Sequence, residues 1–504
     1  MKHNRLSTKL MAALLAVLML TLPACSGSGD STDTTAAPST QSTGETTAPV
    51  ETGPALDQYG REIVEADLPD VKFEGETFTV HTRGNVEKYE WLAEEVTGEA
   101  LNDAIYKRNN TIEEKYGITL NIVAQGTWSD YNSTTLPQLQ ASIQANTGAY
   151  DLIAGYSSPF ANMATTGMLY DLNTLEHIDF DKPWWWQSFN EATEIHGVNY
   201  FGLGALSLSA IYSMSCVFFN PALMEEVNTG VDPYQLVLDG KWTWDKMTEL
   251  STNANMEMDG DNVMGAGDRW GTVFFSGANI PNMYGVASGE MLSTRDEDGT
   301  PVINVNVEKM GTVIDNMIKL IYGNEYTYVA SQNDARKMFI DNKALFHSEW
   351  LYYAQTQIAP TVEAYGVLPV PKMNEAQENY ATWIQGGMHI YSIPIDVKDL
   401  ERASILTEAF AAETYASLLP AYYEVILKAR YFADEASSQM MDIMYDSVSF
   451  DFARFYDGQI GIQTTIKDSV TAQQNTFASS FAAFKKVYDK KLTTFLGKVE
   501  TNAG

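Results

Sequence analysis

The sequence predicts an α/β fold with a parallel sheet and more than one domain. Between residues 78 and 154, stretches typical of strands alternate with stretches typical of helices, which is the pattern of right-handed strand–helix–strand units. More than 400 residues follow the Ser/Thr-rich N-terminal region, too many for one hydrophobic core and natural for two domains. After residue 398 the pattern becomes largely helical, so we expect a helical C-terminus.

Hydrophobic spacing and turn residues place the individual elements. Gly117 follows the helical spacing of Leu101–Tyr116 and should end that helix in the left-handed conformation. Thr243 should cap a later helix, and Asp296–Gly299 should form a hairpin turn. The predicted elements of the first unit are strands at 78–83, 118–123 and 150–154 and helices at 101–116 and 136–143.

The N-terminus has the layout of an export signal. Lys2, Arg5 and Lys9 precede an almost wholly apolar run that is too short to span a hydrocarbon core of about 30 Å. The run ends in Leu22-Pro23-Ala24-Cys25, which resembles the lipobox of bacterial lipoproteins. This resemblance implies a signal peptide over residues 1–24 and lipidation of Cys25. The alternative is an ordinary secretory signal with an incidental cysteine.

A tether is expected between Cys25 and the folded body. From Ser26 to Gln58 there is no Lys, Arg or aromatic residue, and thirteen positions are Ser or Thr. Such a segment cannot bury enough apolar surface to offset its ordering entropy. We therefore expect a disordered, Ser/Thr-rich tether over residues 25–70, which would hold the body off the outer face of the cell membrane.

Composition excludes several classes of function. The chain has 32 basic and 65 acidic residues and a formal net charge of −33, which argues against nucleic acid or an anionic membrane as a partner. Cys216 is the one cysteine besides Cys25 and lies in an apolar run, so we expect it to be buried. Neither a nucleophile elbow, a phosphate-binding loop nor metal-spaced His residues occur. We expect no catalysis and no cofactor.

A series of motifs follows in fixed order along the chain. The motifs are Arg108–Ile118, Tyr150–Ile153, Gly167–Leu172, Leu206–Pro221 as a crossing strand, Lys241–Asp245, Met338–Trp350, Tyr365–Pro371 and Gln385–Gly387. Together they resemble the extracellular solute-binding proteins of ABC importers, of the family 1 carbohydrate type. The resemblance implies two α/β lobes of the type II periplasmic-binding-protein-like fold, joined by crossing hinge strands, with the ligand between them.

The same resemblance implies boundaries, partners and location. The first lobe would hold residues 75–205 and 380–415, and the second lobe residues 206–379 and 416–504. The protein would be a monomer, lipid-anchored on the extracellular face of the cell membrane, that closes on a solute and delivers it to ABC permease subunits. A sensor that passes closure to a membrane receptor is the alternative from another functional class.

Candidate ligand-binding residues come from topology and from the resemblance. Ligands of parallel sheets lie beyond the carboxyl ends of strands, which selects positions after the first and third strands. The family places an aromatic platform at the position of Trp350. The candidates are His81, Arg83, Tyr156, Ser157, Tyr212, Glu349, Trp350, Trp383 and Gln385. Aromatic and planar polar groups suit a mono- or oligosaccharide; a peptide or an organic acid stays open.

One loop could hold a structural calcium ion. Asn255, Glu257, Asp259 and Asp261 offer alternating oxygen ligands around Gly260, but the twelfth position is Ala266, so the loop is not an EF-hand. A plain polar loop is the alternative.

Overall fold

The computed structural model describes residues 55–228, 230–362, 364–431 and 435–503. The predicted signal peptide, Cys25 and the tether up to residue 54 lie outside the described residues. Within the rest of the predicted tether, the Arg61 guanidinium donates to the backbone carbonyl of Tyr415 at 2.8 Å and lies over the Tyr415 ring. No helix in the described ranges is long and apolar enough to cross a membrane.

Eleven strands run through the described part of the chain. They are β1 (Thr77–Thr82), β2 (Thr119–Ala124), β3 (Leu152–Tyr156), β4 (Ser215–Phe219), β5 (Trp270–Phe275), β6 (Ser293–Arg295), β7 (Pro301–Ile303), β8 (Thr327–Ala330), β9 (Ala344–Trp350), β10 (Gly366–Leu368) and β11 (His389–Ser392).

Helices connect and cover the strands. The α-helices are α1 (Glu87–Glu90), α2 (Ala100–Tyr116), α3 (Leu136–Gln144), α4 (Ser157–Phe160), α5 (Gln187–Thr193), α6 (Leu208–Tyr212), α7 (Pro221–Val227), α8 (Pro233–Leu238), α9 (Trp244–Ser251), α10 (Asn279–Ala287), α11 (Val307–Tyr322), α12 (Gln332–Ile340), α13 (Leu400–Glu413), α14 (Glu435–Asp446), α15 (Phe452–Phe455), α16 (Asp457–Ile460), α17 (Ile462–Thr471) and α18 (Phe477–Ala503). Short 3₁₀ segments are Ala161–Thr165 and Leu172–Thr174, and π-helical segments are Tyr131–Thr135, Ala354–Ile358, Thr414–Leu418 and Ala421–Tyr431.

Two mixed sheets have the same arrangement over four of their strands. In the first sheet the order is β2-β1-β3-β11, with β1 parallel to both neighbours and β11 antiparallel to β3. In the second sheet the order is β8-β5-β9-β4-β10, with β5 parallel to both neighbours and β4 antiparallel to β9. Each sheet thus carries one antiparallel strand that enters after a crossing of the chain. The α/β prediction is confirmed.

The predicted helix signals are confirmed at atomic detail. The Glu99 side chain accepts the backbone N–H groups of Leu101 and Asn102 at the start of α2, satisfying donors that the helix leaves unpaired. Gly117 ends α2 with φ 63°, a conformation that costs glycine little. Thr243 caps α9 through the N–H of Lys246, and the hairpin β6–β7 flanks the predicted turn.

The first crossing differs from the prediction. The sequence pattern of Leu206–Pro221 predicts a strand, but the structure forms the helical turn α6 before β4 begins at Ser215. Every residue from 205 to 220 is buried, so apolar spacing alone could not separate helix from strand here. Asn220 ends the strand by capping α7 through the N–H of Leu223.

The last helix, α18, contacts structure on both sides of the first crossing. Glu500 pairs with His196 at 2.7 Å, and Asn502 lies against Gly167. The same helix packs on α11, between the hairpin and β8. The lobe boundaries themselves stay a prediction.

Of three consecutive tryptophans, Trp184 and Trp185 are buried in the core, and Trp186 is partly buried against it. Trp184 and Trp185 donate their indole N–H groups to the two carboxylate oxygens of Glu408 at 2.8 and 2.9 Å. Trp186 donates to the Tyr445 hydroxyl at 3.0 Å. Glu408 is only 2% exposed, and burial raises its pKa to about 7.

We predict that Glu408 makes stability fall as the pH rises. Because its pKa is raised above the ordinary value of 4.5, the folded state binds more protons than the unfolded state between about pH 4.5 and 7. The stabilisation is therefore complete below pH 4.5 and is lost through pH 7. Between pH 5 and 8, the free energy of unfolding of Glu408→Gln should rise relative to the parent by about 2–3 kcal/mol. Urea unfolding across this range measures the difference.

Glu401→Gln provides the control, because Glu401 lies on the same helix, α13, with its side chain exposed. Its difference from the parent should stay flat with pH. A flat difference for Glu408→Gln as well would contradict the prediction.

Candidate functional site

A cleft of about 620 Å³ opens beside the carboxyl ends of the first sheet's strands. One wall comes from the turns that follow β2 and β3, and includes Trp128 and Ser157. The opposite wall comes from α10, which follows β5 of the second sheet and presents Asn279 and Asn282. Side chains after parallel strands converge at this edge because the strands all end there. The cleft therefore draws on both sheets.

A returning segment, residues 383–388, forms the back of the cleft. It connects the second sheet to β11 of the first sheet, and Trp383, Gln385 and Gly386 line the cavity. The backbone N–H of Trp383 donates to the Ser215 hydroxyl at 3.2 Å, at the start of β4. Both crossings of the chain thus meet behind the cleft.

Of the predicted site residues, Ser157, Trp383 and Gln385 line the cleft. Ser157 donates its hydroxyl to the Gly386 carbonyl at 3.3 Å, which links two walls. The Gln385 side-chain oxygen accepts the Gly387 N–H at 2.6 Å and so turns toward its own loop. Their contact with a ligand stays a prediction.

Arg83 and Tyr156 lie directly behind the lining. The Arg83 guanidinium stacks on the Tyr156 ring at 3.5 Å and donates to the Gly387 carbonyl. Tyr156 in turn meets Trp128 edge-to-face, with ring centroids 5.0 Å apart. Burial raises the pKa of Tyr156, so the ring is a neutral spacer between the cation and the exposed indole.

The other four candidates lie away from the lining of this cavity. His81 is 0% exposed inside β1, and burial lowers its pKa to about 4, which keeps the ring neutral. Glu349 is buried and pairs with Arg336 at 2.9 Å. Trp350 packs against Phe275, and Tyr212 lies between Tyr89 and Tyr352. A ligand role for these four residues stays a prediction.

Residues 450–466, which are rich in aromatic residues but have no regular hydrophobic period, supply a large part of the cleft. This segment folds into α15, α16 and the start of α17, and brings Phe450, Arg454 and Asp457 to the lining. The clustering of aromatic residues was the available signal, but the short helices have no clear period. Trp128 follows β2, so the rule used for the first and third strands would also have selected it.

Arg454 and Asp457 of that segment line the cavity, and part of the bonding capacity of each is already used. Arg454 donates through Nη2 to the carbonyls of Gly285 and Glu290 at 3.2 and 3.1 Å, and burial lowers its pKa. Asp457 accepts the Gln463 N–H and the Thr464 hydroxyl, and burial raises its pKa. Both signs of charge and several amide groups therefore surround the exposed Trp128 face.

The predicted calcium loop brings three of its four residues together. Glu257, Asp259 and Asp261 each place one carboxylate oxygen within 4.8 Å of the others, and all three are exposed. Asn255 instead bonds to the Gly271 N–H and the Glu325 carbonyl. Calcium binding stays a prediction. Cys216 is buried as expected, with its thiol donating to the Glu349 carbonyl at 3.5 Å.

Comparison with known proteins identifies the family. The model of a family described as bacterial extracellular solute-binding protein matches residues 107–423. The chain belongs to this family. Its members are binding proteins and not enzymes, which confirms both the resemblance and the expectation that the chain is no enzyme. A search of curated proteins finds no match.

Solved structures of this family's fold are similar over most of the chain. The cyclic alpha-maltosyl-1,6-maltose binding protein of Arthrobacter globiformis matches with 15% identity and a TM-score of 0.55, covering 83% of this chain and 100% of that chain. The GacH receptor of Streptomyces glaucescens GLA.O matches with 13% identity and a TM-score of 0.50, covering 85% and 98%. These likenesses confirm the two-lobe periplasmic-binding-protein-like fold.

We predict that Gly155→Ala lowers stability by disturbing the wall that carries Tyr156. A Cβ at this position of β3 would lie 2.1 Å from the Tyr131 hydroxyl and 2.8 Å from the Phe160 ring. Overpacking of this kind costs about 1–3 kcal/mol. Urea unfolding should show that loss. Gly497→Ala is the control: within α18 an added Cβ meets nothing within 4 Å, so the variant should be unchanged or slightly more stable. A Gly155→Ala protein as stable as the parent would contradict the packing described.

Proposed function

We propose that the protein captures a mono- or oligosaccharide in the cleft and delivers it to the permease of an ABC importer. The observation that carries the proposal is the lining itself. Trp128 is 62% exposed at the cavity, and Trp383 stands at its back, among serine, asparagine, glutamine, arginine and aspartate side chains. Sugar rings have apolar faces that pack on indoles, while their hydroxyls need donors and acceptors at the edges.

The volume and the neighbours support the same class of ligand. A cavity of about 620 Å³ falls within the range of small-molecule sites, about 300–1,000 Å³. The GacH receptor is described in complex with acarbose, and the Arthrobacter globiformis protein by its cyclic maltosyl-maltose ligand. A peptide or an organic acid remains the second candidate, favoured by Arg454 and Lys491 at the lining.

Capture would proceed by closure of two lobes, 75–205 with 380–415 and 206–379 with 416–504. A ligand that contacts Ser157 on one wall and Asn282 on the other binds the closed arrangement better than an open one, and so selects it. The permease would recognise the closed form. A membrane receptor that reads the same closure is the sensor alternative.

We predict that a saccharide raises the melting temperature of residues 55–504. At about a hundred times its dissociation constant, a ligand that binds only the folded state stabilises by roughly 2.7 kcal/mol. A thermal-shift panel of mono- and oligosaccharides, peptides and organic acids makes the measurement. Each of the variants Trp128→Ala and Trp383→Ala removes an aromatic face. The affinity for the saccharide, measured by calorimetry, should therefore fall at least about tenfold in each.

Phe484→Ala is the matched control, since Phe484 is 51% exposed on α18 and is not part of the lining. Its affinity should equal that of the parent. A panel in which only a peptide or an organic acid raises the melting temperature would refute the saccharide assignment and leave solute binding intact.

We further propose that the protein is a lipoprotein held at the extracellular face of the cell membrane through Cys25. The support is the apolar leader ending at the lipobox-like Leu22-Pro23-Ala24-Cys25 and the Ser/Thr-rich stretch after it. The folded body would then stay near the permease as a tethered monomer.

We predict that Cys25→Ala releases the protein from the membrane. Without the thiol no lipid can be attached, and the membrane affinity of about 0.8 kcal/mol for each buried CH₂ group of the lipid is lost. Fractionation and labelling with a palmitate analogue should show loss of both membrane association and label. Cys216→Ala, which removes the other, buried cysteine, should leave both unchanged. A labelled, membrane-bound Cys25→Ala protein would disprove the anchor.

A further inference from the structure

A chain of three buried charged or titratable side chains lies behind the wall of the cleft. Arg83 directly follows β1, Glu90 ends α1, and His389 begins β11. Glu90 and His389 are 0% exposed, and Arg83 is 3% exposed. None of the three lines the cavity. The proposed ligand contacts do not use them.

The hydrogen bonds fix the protonation state of His389. A guanidinium has donors only, so Arg83 Nε donates to His389 Nε2 and that nitrogen carries no proton. The proton is therefore on Nδ1, which donates to a Glu90 carboxylate oxygen. Burial lowers the pKa of His389, in agreement with a neutral ring. The imidazole thus accepts a hydrogen bond from the cation Arg83 on one side and donates one to the anion Glu90 on the other.

Glu90 is joined to Arg83 through this ring, and its charge also acts on the buried guanidinium of Arg108. Its carboxylate also accepts the Ser209 N–H at 2.7 Å and the Tyr391 hydroxyl at 3.1 Å. His389 and the bonds from Ser209 hold the pKa of Glu90 below its usual value despite burial. In the described ranges, no carboxylate oxygen lies within 4.0 Å of the Arg83 side-chain nitrogens. Removing the Glu90 charge would leave a buried guanidinium without compensation.

Arg83, which is held by His389, contacts two walls of the cleft. Its Nη2 donates to the Gly387 carbonyl, in the turn whose neighbours Gly386 and Met388 line the cavity. Its guanidinium also stacks on Tyr156, which meets the exposed Trp128. The position of both walls therefore depends on where Arg83 is held.

The cluster also ties the two crossings of the chain together. The backbone N–H of His389 donates to the Ser209 hydroxyl at 2.9 Å, and the Ser207 hydroxyl donates to the His389 carbonyl at 2.8 Å. Ser207 and Ser209 belong to the first crossing, whereas His389 ends the second. Movement of one crossing is thereby coupled to the other.

We propose that Glu90, His389 and Arg83 are positioning residues that set ligand affinity without touching the ligand. They do so by fixing the Gly387 carbonyl on one wall and the ring pair of Tyr156 and Trp128 on the other. The part concerning affinity rests on the proposed function. The part concerning Trp128 does not, because the position of that indole can be observed without a ligand.

The first experiment observes Trp128 in the ligand-free protein. The ten tryptophans are labelled with 5-fluorotryptophan, and Trp128→Phe assigns the resonance of Trp128 in the ¹⁹F NMR spectrum. Glu90→Gln keeps the shape of the side chain and an acceptor oxygen but removes the charge. We expect the Trp128 resonance to shift or broaden. Glu408→Gln is the control for loss of a buried carboxylate, and should move the Trp184 and Trp185 resonances only.

The second experiment compares two replacements of His389. The amide of His389→Gln can place its oxygen near the Nε2 position and so keep the acceptor for Arg83. The shorter His389→Asn keeps a group near Nδ1 for Glu90 and loses contact with Arg83. The probe is the saccharide that raises the melting temperature of the parent most in the thermal-shift panel. If Arg83 sets affinity, His389→Asn and Glu90→Gln should each bind this saccharide about tenfold more weakly than the parent, and the loss for His389→Gln should be smaller. Melting temperatures of the same proteins are measured in parallel.

The outcomes separate the two proposals. An unmoved Trp128 resonance in Glu90→Gln overturns the positioning role, whatever the ligand is. Affinities that follow the melting temperatures, with no difference between the two His389 variants at equal stability, overturn it as well. A parent protein that binds no saccharide refutes the proposed function alone, and the fluorine spectrum still decides on the positioning of Trp128.

Discussion

Each sheet of this protein is completed by a strand that arrives from elsewhere in the chain. β11 returns to pair antiparallel with β3, and β4 leads into the second sheet to pair antiparallel with β9. Backbone groups of a strand need partners, so each sheet forms fully only when its incoming antiparallel strand has paired. The crossings therefore hold the carboxyl ends of the parallel strands in the two sheets near each other. The cleft and its lining follow from that constraint.

The parts of the fold that sequence reasoning predicts are those with local signals. The α2 cap at Gly117, the Thr243 cap and the alternating strands of the first sheet depend on neighbours in sequence, and the structure confirms them. The helical turn before β4 escaped prediction because uniform burial erases the period that separates helix from strand. Caps and alternating patterns can be recognised from neighbouring residues, whereas a stretch that is buried on all sides has no hydrophobic period from which its secondary structure can be predicted.

The candidate site was only partly predictable because its residues come from distant segments. Ser157 follows a strand and was selected by the rule for parallel sheets, whereas Arg454 and Asp457 arrive on short helices after residue 450. Arg83 shows a further difficulty. It stands at the right strand end, but its guanidinium turns inward to His389 and Tyr156, and the sequence carries no mark of that pairing.

The helix α18 stands with its C-terminal end on the region before the first crossing, through His196 and Gly167, and with its side on α11 of the hairpin region. This helix of 27 residues contacts structure on both sides of the crossing and so connects the two regions. Its Lys491 also reaches the cleft. A protein fused to the C-terminus would disturb the contacts of α18 with His196 and Gly167. Reporters of opening and closing are therefore better placed on surface loops than at the chain end.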